Sequence, residues 1–200
     1  MPSHINFSYF SEHQESNDDL KEYVNETITH DLFNNDYKNL KYELSMLVIN
    51  LRDAKIIKNS HGYTTQAYQI YKIFNYGPTY YNCLIPTFFS IFDFIHYHII
   101  NTSKYIKKGI VNHYALRSAL SNLKRENKST KLFSVLYMIN IYSVGERIYR
   151  STGSSNYNKN QINRNTAVHG INNPDKYTIN DFAKLVLLCK GSSEFLNNIY

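Results

Sequence analysis

Tryptophan is absent from this chain, glycine is held to seven residues and cysteine to two, in a length of 200. Cys83 and Cys189 are too few for a disulfide scaffold or for a zinc site of their own. No Gly-rich phosphate loop, no CxxC and no HExxH occurs. No apolar run reaches the roughly 18 residues that a membrane-spanning helix needs. The longest candidates, around Phe88–Ile100 and Leu132–Val144, are interrupted by Asp93, His96, His98 and Asn140. The start, Met1-Pro-Ser-His4, lacks the basic-then-apolar pattern of a secretory signal. The expectation is a reduced, soluble, cytoplasmic protein with no membrane partner.

What is abundant is Asn, Ile, Lys and Tyr, the bias that an AT-rich genome imposes. Hydrophobic residues make up 42 % and aromatic residues 15 % of the chain, enough to build a core. Charge is divided unevenly. Residues 1–100 hold 7 basic and 11 acidic side chains, a net of −4, and residues 101–200 hold 15 and 5, a net of +10. Such asymmetry points to a partner, and a basic half points first to nucleic acid. Carboxylates in that half are sparse: Glu126, Glu146, Asp175, Asp181 and Glu194. This argues against a carboxylate-held two-metal nuclease site there.

Hydrophobic spacing reads as helix almost throughout. Leu20, Val24, Ile28 and Leu32 form one stripe over 20–33. Leu40, Leu44, Leu47, Leu51 and Ala54 form another over 37–57. An aromatic helix over 64–75 should stop at Gly77-Pro78. Pro86 suits the first turn of a helix running to about Tyr105, with Phe88, Phe89, Phe92, Ile95, Ile99 and Ile100 on a broad apolar face. Shorter helices are expected over 112–125 and from Ser129 or Thr130 onward, the latter with Leu132, Leu136, Ile139 and Val144 inward. A polar loop over 151–160 leads to a short helix over about 161–169, stopped by Gly170. Thr178-Ile-Asn-Asp181 resembles a capping box opening the last helix. The fold class is all-α, a helical bundle. The charge pattern divides it into an acidic helical N-terminal region, residues 1–78, and a basic bundle, residues 79–200. His96 and His98, two apart on a helix, face different ways and read as core or boundary residues rather than a metal pair. No metal or cofactor is expected.

One segment carries recognisable chemistry: Asn163-Arg164-Asn165-Thr166-Ala167-Val168-His169-Gly170. Chance alone supplies about 0.7 Arg–His pairs at such spacings, and the flanking Asn and Gly reduce that to roughly 0.001. Arg gives a permanent planar cation for phosphate oxygens, and His moves protons near neutral pH. Together they suit RNA self-cleavage, in which the 2′-oxygen attacks the adjacent phosphorus and the 5′-oxygen leaves. On an ideal helix Arg164 and His169 lie about 140° apart, whereas Asn165 and His169 lie about 40° apart. A single helix therefore aims the two groups poorly at one phosphate, and a two-fold dimer brings two sets to one cleft. The bland alternative is a helix C-terminus at His169-Gly170 with Arg164 on the surface.

Arg164-Asn165-x-x-x-His169-Gly170 resembles the R-x4–6-H motif of the HEPN superfamily. The likeness covers about residues 86–199. It implies a small all-α bundle that pairs as a homodimer and cleaves RNA without metal, as a toxin or abortive-infection (antiphage defence) effector. Arg164 and His169 are then catalytic, with Asn165 as the polar residue that follows the Arg. The branch paired with a nucleotidyltransferase antitoxin has Tyr two residues after the His, where this chain has Ile171. Arg147, Arg150 and Lys159 are the expected RNA-positioning residues. A neutralising antitoxin or a phage-derived trigger is the expected restraint. The alternative function is a catalytically silent HEPN-like module that binds RNA or protein.

Overall fold

The computed structural model describes residues 17–54, 61–102, 106–107, 110–111, 144, 148–149 and 162–198. These residues are all-α apart from one minimal ribbon. Helix α1 spans Asn17–Asp53, α2 His61–Tyr76, α3 Tyr81–Thr102, α4 Arg164–Val168 and α5 Ile179–Asn198. Short 3-10 turns occupy Pro78–Tyr80 and Pro174–Lys176. The ribbon pairs β1, Ile106–Lys107, with β2, Ile110–Val111, antiparallel. No described helix is long and apolar enough to cross a membrane.

Two compact units divide between Tyr42 and Glu43. The charge-based boundary near residue 78 falls inside the second of them. In the first unit α1 is interrupted at Asn34–Tyr37, where Asn34 is extended and Asn35, Asp36 and Tyr37 take φ of 51°, 56° and 59°. The interruption agrees with the two separate helices read from the leucine stripes. Left-handed backbone costs roughly 1–2 kcal/mol per non-glycine residue, least for Asn and Asp. Local bonds offset that cost. Asn39 Nδ2 donates to the Asp31 carbonyl at 2.8 Å, one of the four carbonyls a helix end leaves without a partner. Lys41 pairs with Asp36 at 2.6 Å, and Phe33 meets Tyr37 edge to face.

The second unit is organised by leucine and phenylalanine. Leu44, Leu47 and Leu51 of α1 are fully buried, as their spacing predicts, and so is Leu40 just before the division. Asn50 ties this part of α1 to α5: its amide reaches Ser193 Oγ at 3.2 Å, and its carbonyl accepts from Asn197 at 3.0 Å. Lys190 of α5 bridges Glu43 and Glu194 at 3.2 and 3.0 Å. Phe182 of α5 stacks on Phe74 of α2 and meets Phe88 of α3 edge-on. Tyr63 of α2 stacks on Phe94 of α3 with ring centres 4.0 Å apart. Such aromatic pairs add about 0.5–1.5 kcal/mol each beyond the area they bury.

α3 is apolar almost all round, with Leu84, Ile85, Phe88, Phe89, Ile91, Phe92 and Ile95 buried. It starts earlier than Pro86 suggests. The 3-10 turn at Pro78–Tyr80 feeds directly into helical Tyr81, so Pro86 sits inside the helix. The bond its N–H would have made to the Asn82 carbonyl is forgone, and its ring crowds that carbonyl. α2 ends before Gly77-Pro78 as expected, with the Gly77 N–H still reaching the Ile73 carbonyl at 3.0 Å. The capping box before α5 forms with Asp in place of Glu. Asp181 N–H donates to Thr178 Oγ1 at 3.2 Å, and Thr178 N–H and Oγ1–H donate to Asp181 Oδ2 at 3.0 and 2.9 Å. One inward assignment is corrected: Val144 is 41 % exposed, and Ile148, one turn later in sequence, is buried. The helices expected over 112–125 and from 129 onward fall outside the described residues, apart from isolated positions.

Candidate functional site

The motif helix α4 is set by its caps. Asn163 is extended and 2 % exposed, and its side chain accepts from the N–H groups of Asn165 and Thr166 at 3.0 and 3.3 Å. The helix therefore begins at Arg164, three residues later than the pattern suggests. At the other end the Ile171 N–H reaches back to the Thr166 carbonyl at 2.9 Å, and Gly170 takes a φ of 67°. This is a Schellman stop, which needs a left-handed residue and so suits glycine. Thr166 is the internal anchor. Its hydroxyl donates to the Asn163 carbonyl at 3.1 Å and accepts from Asn172 Nδ2 at 2.8 Å. Arg164 thus stands at the first helical position and His169 at the C-cap.

The two motif side chains have unlike surroundings. The Arg164 side chain is 27 % exposed and reaches across to Asp93 of α3, itself 30 % exposed. Nη2 and Nε donate to Asp93 Oδ2 at 2.8 and 3.1 Å. Nη1 lies 3.4 Å from Asn165 Oδ1, at the long limit of a hydrogen bond. The other carboxylate oxygen, Oδ1, accepts from the Tyr149 hydroxyl. Asn165 Nδ2 in turn donates to the Tyr149 carbonyl at 3.2 Å. Arg164, Asn165, Asp93 and Tyr149 thus form one connected polar cluster where α3 and α4 meet.

Behind this cluster lies an aromatic wall. Tyr149 stacks on His96 and Phe92, with ring centres 5.3 and 5.8 Å away. Burial and the hydrogen bond to Asp93 push the Tyr149 phenol far up, so it keeps its proton and acts as a donor. Burial holds His96 below its ordinary value, against an upward pull from Asp93. Burial also pushes the Cys189 thiol up, with Asp93 adding to the effect, which leaves that sulfur unreactive. The reading of His96 as a core histidine agrees with its burial. His98 is half-buried, edge-on to Phe94.

His169 is exposed, and its backbone N–H donates to the Asn165 carbonyl at 3.2 Å. The Asn165 side chain, which lies about 40° from His169 on an ideal helix, is bonded instead to Arg164 and to the Tyr149 carbonyl. Val168 and Ile171, flanking His169, are 42 % and 65 % exposed. Arg147, Arg150 and Lys159 lie outside the described residues. Among the described residues, no three His, Cys, Asp or Glu side chains converge as metal ligands would.

Sequence reasoning missed Asp93 and Tyr149. Asp93 drew notice only as an interruption of an apolar run. A lone acid among Phe, Ile and Leu on a buried helix is itself a signal, since such a charge is kept only where it has a partner. Compared with known proteins, the chain matches no family model, no curated sequence and no solved structure.

Proposed function

We propose that this chain is a metal-independent endoribonuclease of HEPN type, a toxin or antiphage defence effector that acts as a homodimer. The observation carrying this reading is the arrangement of α4. One short helix, locked by caps at both ends, holds Arg164 against the bundle and presents His169 to the outside. In this reading Arg164 faces the scissile phosphate and steadies the negative charge that builds on it. His169 moves the proton, as base on the 2′-hydroxyl or as acid on the leaving 5′-oxygen. Asn165, bonded to both Arg164 and the Tyr149 carbonyl, keeps the guanidinium plane in register.

One copy supplies one histidine, and in-line cleavage wants both a base and an acid. Two copies related by a two-fold axis supply both, with exposed Val168 and Ile171 as apolar contacts around them. Arg147, Arg150 and Lys159 would hold flanking phosphates. An unrestrained ribonuclease harms its own cell, so the reading includes an antitoxin or a phage-derived trigger. A second reading, a catalytically silent RNA- or protein-binding module, draws support from the Asp93 carboxylate, which neutralises Arg164.

The test is cleavage in EDTA. The purified protein should cut RNA and leave a 2′,3′-cyclic phosphate or 3′-phosphate end, and both Arg164→Ala and His169→Ala should abolish the cut. Activity that requires a divalent metal, or that survives both substitutions, rejects the mechanism. Wild-type RNA binding with no cleavage favours the silent module.

A further inference from the structure

The ribonuclease reading gives Asp93 no task, yet three side-chain hydrogen bonds converge on it from residues 56 and 71 positions away. We propose that Asp93 is the positioning residue of the site: it fixes the plane of the Arg164 guanidinium and withholds part of its charge from an incoming phosphodiester. The proposal rests on Arg164 being the group that meets phosphate.

The geometry leaves Asp93 little freedom. Oδ2 takes the Nε and Nη2 hydrogens of one edge of the guanidinium, at 3.1 and 2.8 Å. Oδ1 is taken by Tyr149, whose ring is stacked against His96 and Phe92 and so cannot swing aside. With each oxygen assigned to a different partner, the carboxylate cannot rotate without breaking a bond. The guanidinium is planar, so fixing one edge fixes the direction of the other. That other edge, made by Nη1 and the outer hydrogen of Nη2, points away from the carboxylate. It is the edge that gives a phosphate two parallel hydrogen bonds.

The electrostatics have the opposite sign. An Arg–carboxylate pair is neutral overall, so Asp93 weakens the pull of Arg164 on a ground-state phosphodiester. Orientation counts most when the phosphorus becomes five-coordinate and gains charge, because only then is a fixed donor pair fully used. Asp93 therefore trades affinity for turnover. A carboxylate that merely pinned α4 to α3 would do neither, since its loss would lower the folded fraction and leave the folded molecules unchanged.

The experiment combines a binding cycle with kinetics. Affinity for a short 2′-O-methyl oligoribonucleotide, which cannot be cleaved, is measured by fluorescence anisotropy for wild type, Asp93→Asn, Asp93→Glu, Arg164→Ala and the Asp93→Asn/Arg164→Ala double variant. Asn keeps the shape of Asp, and circular dichroism reports helical content for each protein. The Asp93→Asn variant should bind roughly fivefold more tightly than wild type at low salt, as expected when Arg164 no longer shares its charge between a carboxylate and the phosphate it contacts. That gain should vanish when Arg164 is already Ala. With cleavable RNA, Asp93→Asn should lower kcat about a hundredfold while lowering KM, and Asp93→Glu should recover part of kcat. Weaker binding by Asp93→Asn, a gain that persists without Arg164, or a fall in kcat at unchanged KM overturns the proposal. So does wild-type binding that does not depend on Arg164. If the binding cycle behaves as stated and wild type cleaves nothing, the ribonuclease reading fails and the assignment of Asp93 to Arg164 stands.

Discussion

At its N-terminal end the motif segment is tied into the bundle: Asn163 and Thr166 are 2 % and 1 % exposed, and Arg164 reaches α3 through Asp93. At its C-terminal end Val168 and Ile171 are 42 % and 65 % exposed, and His169 between them is open. The same short helix thus joins a fixed cation to a presented imidazole. A residue held by several partners contributes to stability, so deleting it changes the fold along with any chemistry proposed for it. A residue held by its backbone alone can be lost with little effect on the fold. This contrast bears on function, because a surface histidine beside apolar side chains suits completion by another molecule.

The largest effect that can break the contrast concerns the two motif residues themselves. His169→Ala should reduce RNA cleavage by a factor on the order of 10³, with a melting temperature within error of wild type. Arg164→Ala should lose as much activity and also about 1–3 kcal/mol of stability, because Asp93 is left half-buried without its cation. Thermal melts beside cleavage assays check both. If the two substitutions destabilise equally, the ends of α4 are not differently anchored. A mixing test sharpens the point: excess His169→Ala subunits co-expressed with wild type should poison activity in proportion to mixed dimers. Full activity in such mixtures would mean that each copy works alone.

How far this was legible from sequence depends on how local each signal is. The stripe Leu40, Leu44, Leu47, Leu51 marks a buried face because helix periodicity is a nearest-turn property. The Thr178–Asp181 box and the Gly170 stop are also local, and the structure forms both. The start of α3 is not local, because burial of Leu84, Ile85, Phe88 and Phe89 against the rest of the bundle outweighs what an interior Pro86 costs. The start of α4 was misplaced because Asn163, rather than a residue before Gln161, provides the cap. Asp93 and Tyr149 were missed for a different reason: their roles exist only through contacts 56 and 71 residues distant in sequence. The motif supplied Arg164 and His169, and tertiary packing supplied what holds Arg164.

A smaller difference is expected from the two caps. Asn163→Ala removes a buried side chain that satisfies two backbone N–H groups and should cost about 2 kcal/mol, the upper end for an N-cap. Gly170→Ala should cost about 1 kcal/mol. A Cβ there meets nothing within 4 Å, so only the left-handed backbone at φ 67° is penalised. Denaturant unfolding of both variants measures the gap. If Gly170→Ala proves the more damaging, the presented end is the better anchored of the two.

The smallest effect expected is a pH dependence at the fixed end, and its sign follows from His96. Burial holds this imidazole below its ordinary value of 6.5, and neighbouring Asp93 only partly opposes that. The unfolded chain therefore takes up a proton at this position at a higher pH than the folded chain does. Between those two values the unfolded state binds more protons, so stability rises with pH across the window. The contribution of His96 is complete above about pH 6.5 and is lost as pH falls below it. His98 of the same helix is lowered by burial as well and acts in the same direction. Melting temperature should fall between about pH 7.5 and about pH 5.5, before most carboxylates titrate. His96→Phe keeps a flat ring between Phe92 and Tyr149 and carries no titrating proton, so it should flatten that fall. If His96→Phe retains the wild-type slope, the acid-sensitive group is not the imidazole packed behind Asp93 and Arg164, and the fixed end carries no pH dependence of its own.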